Sequence, residues 1–290
     1  MDNLPVELLR EIIELAAESD LIQAALLSSV SSQFHTWAQP ALCRTVIALE
    51  EGYESMPPQL NRTWLETNGR HVRGVLVWGF EDPLSLFELC PHITEFSVWW
   101  TDLVELLPVI SKLPIRKITS DFSSLFGTSY LHVEQGRSQL FQNVTHLEVI
   151  DAQQSWLYIQ GLTELPQLTH FAFPEAEYVR SVRDQHNEDT SAIVHDILRS
   201  CPRLKVLVMF VQGVSSDSDE HSPEEEEPVE AEVPFRCDEP RMIAIESTIP
   251  RWEDWVKGRF SYRNAWEVAE KVVQRNWQRR QLESTRVTTS

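Results

Sequence analysis

Residues 201–209 read CPRLKVLVM, and looser versions of this string occur at residues 70–77, 90–98, 142–149 and 165–173, with a shorter copy at 113–118. Each full copy has apolar residues at positions i, i+3 and i+5, which in the string quoted are Leu204, Leu207 and Met209. The first anchors, at positions 72, 93, 115, 144, 168 and 204, lie 21 to 36 residues apart. This spacing is mostly within or near the ~20–29 residues of repeats that contribute one strand each.

The L-x-x-L-x-L core of these copies resembles the leucine-rich repeat in a degenerate form, because the Asn or Cys that normally closes each turn is mostly missing. The resemblance covers about residues 68–213. Apolar residues at helical spacing lead into several strands, at 84–89, 103–113 and 193–198. The resemblance therefore implies an α/β fold, a short right-handed solenoid whose strands are parallel and whose helices form the outer layer.

Alternation along a strand predicts which residues face the open, concave side of such a solenoid. If the anchors point into the core, the position after the third anchor points outward, and this row is largely apolar. Its candidate target-binding residues are Trp78, Trp99, Ile150 and Phe210. Exposed apolar surface of this extent usually marks a binding site. The alternative, which the sequence leaves equally open, is that the protein covers the row itself.

The first fifty residues have the pattern of three short helices. Pro5 suits the first helical position, and an apolar stripe predicts a first helix that runs to about Glu18. Asp20 is the expected N-cap of a second helix, and Ser31 or Ser32 that of a third, which we expect Pro40 to end. An ordinary helical cap over the following domain is the simplest interpretation.

A family resemblance favours a more specific interpretation of these three helices. The strings LPVELL at 4–9, II at 12–13 and LLSSVSSQFHTW at 26–37 resemble an F-box, whose pattern is LP-x-E-L, paired aliphatic residues and a closing V-S-x-x-(W/F). The resemblance covers about residues 3–45 and implies a three-helix motif that docks on the Skp adaptor of cullin-based SCF ubiquitin ligases. It implies that the adaptor interface, or the core behind it, contains the following residues: Leu4, Pro5, Leu8, Leu9, Ile12, Val30, Phe34 and Trp37.

Charge is distributed unevenly in this 290-residue chain. The formal net charge is −19, and the window 215–240, with eleven acidic residues and one basic, carries −10 of it. Four prolines and almost no large apolar side chain in this window predict a disordered loop, in which Ser215, Ser216 and Ser218 suit an acid-directed kinase. Because a chain with this much negative charge repels phosphate groups, we do not expect it to bind nucleic acid or anionic membranes.

The C-terminal part, from residue 251, is basic and rich in tryptophan. Trp266, Val273 and Trp277 fall on one face of a predicted helix at i, i+7 and i+11. Such a helix is expected to dock, either as the terminal cap that repeat proteins need or in the groove of a partner.

Signatures of catalysis are missing from the sequence. It has no GxGxxG, GxxxxGK[ST], HExxH or GxSxG string, and its four cysteines form neither a CxxC pair nor a zinc-finger spacing. His146 and His170 hold the same position in two repeats, and we interpret this as coincidence rather than as a metal site. We therefore expect no enzyme activity, no cofactor and no metal.

The sequence thus predicts four segments: an F-box at 1–45, a degenerate leucine-rich repeat solenoid at 46–213, an acidic disordered loop at 214–240, and a Trp-rich basic helix or cap at 241–290. The expected function is non-catalytic substrate recognition in an SCF-type ligase, with the Skp adaptor, the cullin complex and a target protein as partners. The alternative is a ligase-independent repeat scaffold. No run of about 18 apolar residues and no signal-peptide start are present, which predicts a cytoplasmic or nuclear protein.

Overall fold

The computed structural model describes residues 4–49, 61–79, 82–99, 103–121, 125, 139–150, 161–174, 188–212, 239–247 and 265–288. Over these residues the protein is α/β, with one eight-stranded sheet in which the strands follow the order of the chain. Every pairing described is parallel. The alternation of helix and strand is compatible with a solenoid-like α/β fold. The predicted acidic loop and its serines lie outside the described residues, except for Glu239 and Pro240 at its end, which are part of the described structure.

Three helices precede the first strand: α1 (Val6–Ser19), α2 (Leu21–Val30) and α3 (Ser32–Leu42). The Asp20 carboxylate accepts the Ile22 N–H at 2.8 Å and caps α2 as predicted. Ser31, rather than Ser32, caps α3 by accepting the Phe34 N–H at 3.1 Å.

The prediction that Pro40 ends α3 is wrong, since the helix continues to Leu42. Its last turn is closed by the Cys43 N–H, which donates to the Gln39 carbonyl at 2.9 Å. Ala38 and Ala41 are buried on either side of Pro40. Proline removes only one helical hydrogen bond, and here packing and the final hydrogen bond outweigh that loss.

The remaining elements alternate. Their bounds, in chain order, are β1 (Thr45–Leu49), α4 (Arg62–Asn68), β2 (Gly74–Trp78), α5 (Pro83–Leu89), β3 (Glu95–Trp99), α6 (Leu103–Ile110), β4 (Lys117–Ser120), β5 (His146–Val149), β6 (His170–Pro174), α7 (Glu188–Ser200), β7 (Val206–Gln212), β8 (Met242–Ser247) and α8 (Ala265–Thr288). A 3₁₀ turn, Gly69–His71, follows α4. Among the described residues, no helix combines the length and the apolar composition that crossing a bilayer requires.

The alignment of the sequence copies correctly predicts the register of the sheet. Val75 lies opposite Phe96, and Phe171 lies opposite both Leu147 and Leu207, which are the second anchors of their copies. The anchor side chains are buried almost completely, as predicted for the core. The three anchors have the same spacing in every copy. When two such copies form neighbouring parallel strands, this equal spacing places equivalent anchors side by side.

A repeated hydrogen-bond pattern joins five of the strands to the next strand at the N-terminal end. The carbonyl of the residue before one strand accepts two N–H groups from the following strand: Arg44 accepts from Arg73 and Gly74, and Thr145 accepts from Thr169 and His170, at 2.8 to 3.0 Å. This pattern fixes the turn into each strand and satisfies backbone groups that lie beyond the ladder.

The chain divides into two compact units. The first contains the described residues from 4 to 118, with 139 and 140, and the second contains most of those from 119 onward. In the first unit, the three N-terminal helices pack around a small core of alanines. In the second, α8 packs on the face of β6, β7 and β8 that carries Ala172 and Val208.

Candidate functional site

The N-terminal helices leave half of their large apolar side chains in solvent. Of the residues predicted for adaptor binding, Leu4, Pro5, Leu8, Ile12 and Val30 are exposed. Leu9, Phe34 and Trp37 are half-buried, and the Phe34 and Trp37 rings stack with their centroids 5.7 Å apart. Within the described part of the chain, eight of the eleven exposed large hydrophobic residues lie between positions 4 and 30.

Four of these exposed residues are not among those that the sequence singled out: Val6, Leu15, Ile22 and Leu26. On α1, residues 8, 12 and 15 form an apolar stripe at i, i+4 and i+7, while Ile13 and Ala17 are buried. On α2, residues 22, 26 and 30 form a second stripe at i, i+4 and i+8. The signal for the second stripe is present in the sequence, because α2 (LIQAALLSSV) is apolar on nearly all sides and cannot bury every side.

The small core of the unit explains why these side chains face outward. Its fully or nearly buried members are alanines: Ala17, Ala24, Ala38 and Ala41. Alanine allows helix axes to approach closely but removes little apolar area from water. A self-sufficient helical cap would bury most of its leucines and isoleucines, whereas this unit keeps Leu8, Ile12, Leu15, Ile22 and Leu26 on the surface, in two stripes that a partner can cover.

The predicted open row of the sheet is largely covered. Trp78 and Ile150 are half-buried, and Trp99 ends β3 with its side chain outside the described part of the residue. Phe210 is only 5% exposed, so its prediction as an accessible target-binding residue needs correction. The neighbouring row is buried throughout: Leu76, Ser97, Thr119, Glu148, Ala172 and Val208.

Helix α8 is what covers the row at β6 to β8. Ala269 and Val273 are buried in one cluster with Ala172, Val208 and Phe210. Trp266 and Val272 pack against the same cluster, together with Ile245 of β8. Of the two alternatives for the apolar row, self-coverage is therefore the one found at these strands.

The predicted apolar face of α8 is longer than the part that docks. Trp266 and Val273 contact the cluster, whereas Trp277, on the same helical face one turn later, is 46% exposed. The described side chains from 277 to 283 are all exposed. Docking of α8 thus depends on its first three turns.

Two histidines meet beneath α8. The rings of His146 and His170 stack with centroids 4.0 Å apart and planes 4° apart, and the Trp266 ring stands nearly perpendicular beside both. His170 Nε2 lies 2.9 Å from Glu270 Oε1. Parallel rings do not direct their lone pairs at one point, and the described residues include no group of three or more His, Cys, Asp and Glu arranged to hold a metal ion.

The described cysteines are buried thiols at the turns of the structure. Burial raises the pKa of Cys90 to about 12 and that of Cys201 to about 11, so both thiols stay protonated at neutral pH. Cys201 Sγ also contacts the Leu162 carbonyl at 3.9 Å. Neither cysteine has the thiolate character that a nucleophile needs.

Comparison with known proteins gives no match: no protein-family model, no curated protein and no solved structure is significantly similar to this chain.

Proposed function

We propose that this protein is a non-catalytic substrate receptor of an SCF-type cullin ubiquitin ligase. Its three N-terminal helices bind the Skp adaptor, and its repeat region presents a target protein. The observation that carries the proposal is the pair of exposed apolar stripes on α1 and α2, in a unit whose F-box-like sequence motif falls on the same helices.

Exposure on this scale favours a protein partner. The stripe side chains are 47–65% exposed, so each forgoes part of the ~1.5–3 kcal/mol that full burial contributes, and a monomer rarely leaves several such residues contiguous. Stripes at i, i+4 and i+7 or i+8 are the pattern by which helices engage an apolar groove. The stripe on α2 lies on a helix without any charged residue.

Target binding is assigned to the repeat region, at those parts of the row that α8 leaves accessible. Trp78 and Ile150, both half-buried, keep part of their apolar surface in solvent. Trp99 follows Trp78 in register on the next strand and belongs to the same proposal. The chemistry of such a receptor is positioning, and ubiquitin transfer would be carried out by other subunits.

Co-purification with the Skp adaptor tests the proposal. The double variant Leu8→Asp, Leu26→Asp places one carboxylate in each stripe, and we expect it to lose adaptor capture by more than about 100-fold, because an interface buries such charges at a large cost. The matched control is Leu282→Asp on α8, since Leu282 is 66% exposed and Leu26 is 63% exposed. This control should bind the adaptor like the wild type.

Circular dichroism of each variant establishes that the helices are retained. If the correctly folded wild type captures no adaptor, or if the double variant captures as much as Leu282→Asp does, the proposal is wrong. Capture of other proteins in the absence of the adaptor would instead support the ligase-independent scaffold.

A further inference from the structure

The contact between the sheet and α8 contains a titratable side chain, His170. His170 is on β6, its side chain is 7% exposed, and its Nε2 atom lies 2.9 Å from Oε1 of Glu270 on α8, whose side chain is 56% exposed. A carboxylate only accepts hydrogen bonds, so Nε2 of His170 must carry a hydrogen in this contact. The opposite ring nitrogen, Nδ1, lies 2.8 Å from the Thr169 hydroxyl oxygen.

The Thr169 hydroxyl can serve two protonation states without movement of a heavy atom. It lies 2.8 Å from His170 Nδ1 and 3.1 Å from the Thr145 carbonyl oxygen. If the hydroxyl donates to Nδ1, the ring is neutral. If it donates to the Thr145 carbonyl, its oxygen accepts a hydrogen from Nδ1, and His170 is then an imidazolium that donates from both nitrogens.

The surroundings of His170 favour one positive charge and disfavour two. From α8 it faces Glu270, and from β5 it faces His146, whose stacked ring is 4.0 Å away, with buried Glu148 two residues along the same strand face. Its register neighbour on β7 is the uncharged Val206. The other charged residues on this part of α8, Glu267 and Lys271, are exposed. The Glu270 carboxylate stabilises a protonated ring, whereas two stacked imidazoliums would repel each other.

We propose that His170, Thr169 and Glu270 form a proton-dependent latch that fixes α8 on the sheet. Uptake of one proton by the His146–His170 pair converts the sheet-to-helix contact from a neutral hydrogen bond into an ion pair. The proton therefore controls how firmly α8 covers the apolar face of β6 to β8. This latch lies in the second unit and does not depend on adaptor binding.

The sign of the effect follows from the charges. An ion pair with His170 exists only while the ring is protonated, so its contribution is present at low pH and is lost as the pH rises and the ring loses its proton. A hydrogen bond between charged groups is about twice as strong as a neutral one. We expect α8 to exchange its backbone hydrogens about fivefold faster at pH 8 than at pH 5.5, after correction for intrinsic exchange.

Hydrogen–deuterium exchange of the full-length chain, read on peptides that cover residues 265–277, tests the latch. Glu270→Gln keeps an acceptor but removes the charge, and it should make the corrected exchange of α8 independent of pH. Glu267→Gln is the matched control, because it removes an exposed charge one turn earlier on the same helix, and it should retain the wild-type pH dependence. Thr169→Val removes the acceptor for Nδ1–H and should behave like Glu270→Gln.

Nitrogen-15 NMR of the imidazoles supplies a direct readout. In wild-type protein at pH 6, we expect one ring of the pair to have both nitrogens protonated, and we expect this signature to be lost in Glu270→Gln. The latch is refuted if wild-type α8 exchanges at the same corrected rate at both pH values. It is equally refuted if Glu270→Gln keeps the wild-type pH dependence.

Discussion

Gly69 lies where the 3₁₀ turn after α4 passes the end of α5. A Cβ atom at this position would overlap the Leu89 carbonyl oxygen and lie 3.2 Å from Cys90 Sγ. Both neighbours are fixed, since Leu89 presents backbone and Cys90 is completely buried. Glycine is therefore required here by close approach between two repeats rather than by an unusual backbone angle.

Gly69→Ala should therefore destabilise the fold, although it adds only one methyl group. We expect it to lower the free energy of unfolding by about 1–3 kcal/mol, because the added methyl group must displace backbone. Urea unfolding measures the difference. Thr63→Ala, at an exposed position of α4, is the control and should stay within about 0.5 kcal/mol of the wild type. Equal unfolding midpoints for both variants would contradict the close approach.

A second residue-scale feature, the pair of Glu239 and Arg241, fastens the start of β8. Arg241 Nε donates to Glu239 Oε1 at 2.7 Å, and Arg241 Nη1 donates to the Leu204 carbonyl at 3.2 Å. The hydrogen bond from Arg241 lowers the pKa of Glu239 below its usual value of 4.5. Because the pKa of Glu239 is lower in the folded state than in the unfolded state, its ionised form stabilises the fold at any pH above the unfolded-state pKa. This contribution is lost as the pH falls through the folded-state pKa.

Glu239→Gln should therefore destabilise the protein in a pH-dependent way. We expect a loss of about 1 kcal/mol at pH 7, since the charge-assisted hydrogen bond is replaced by a neutral one. The difference from the wild type should shrink below pH 4.5 and vanish once Glu239 is protonated in the folded state. Thermal unfolding across this pH range measures it, with exposed Glu164→Gln as the control. A difference that stays constant with pH would argue against the ion pair.

At the scale of elements, α8 is a cover that docks by part of its length. Val273 is buried in the cluster with Phe210, whereas Trp277 continues the same helical face into solvent. The predicted apolar stripe of α8 thus exceeds the sheet surface available to it. The N-terminal helices show the same relation, because their apolar surface exceeds what their alanine core can cover.

Val273→Asp and Trp277→Asp should separate the docked part of α8 from the exposed part. An aspartate at 273 would be buried without a partner among apolar side chains, so we expect α8 to detach and tryptic cleavage at Lys271 to become at least about tenfold faster. Trp277→Asp should leave the cleavage rate close to that of the wild type. Similar rates for the two variants would show that the cover extends to the second half of the helix.

At the scale of the whole molecule, excess negative charge opposes compaction. The chain carries a formal net charge of −19, and more than half of that charge lies in the window 215–240. Like charges repel more strongly in the folded state because they are closer together. Salt screens exposed charges over a distance that falls from ~30 Å at about 0.01 M to ~8 Å at about 0.15 M.

Adding sodium chloride should therefore stabilise the protein at neutral pH. We expect the midpoint of thermal unfolding to rise by about 2–4 °C between about 0.01 and 0.15 M salt, which corresponds to about 1 kcal/mol for a chain of this size. The dependence should weaken as the pH approaches the isoelectric point near 4.9, where the net charge is small. A midpoint that falls with salt at pH 7 would mean that attractive surface pairs outweigh the repulsion.

The repeats and helix caps are predictable from the sequence because each depends on residues close together in the chain. The anchors around Leu204 predict which residues are buried and how neighbouring strands align. Asp20 and the Ser31–Ser32 pair similarly predict where α2 and α3 begin. Strands β1 and β8 lack this repeated pattern, and they are found only in the structure, where each pairs along an existing strand.

The candidate surfaces depend instead on contacts between residues far apart in the chain. The F-box-like string names Leu8 and Val30, but only the alanine core shows that the stripes on α1 and α2 stay outside. The apolar row through Phe210 predicts either a binding face or a covered one, and the position of α8 decides for coverage. By itself the sequence determines the repeat, its register and its helix starts, because short-range patterns specify them. Only the tertiary structure decides which apolar faces remain open and which histidine meets Glu270, because burial is set by the packing of distant segments.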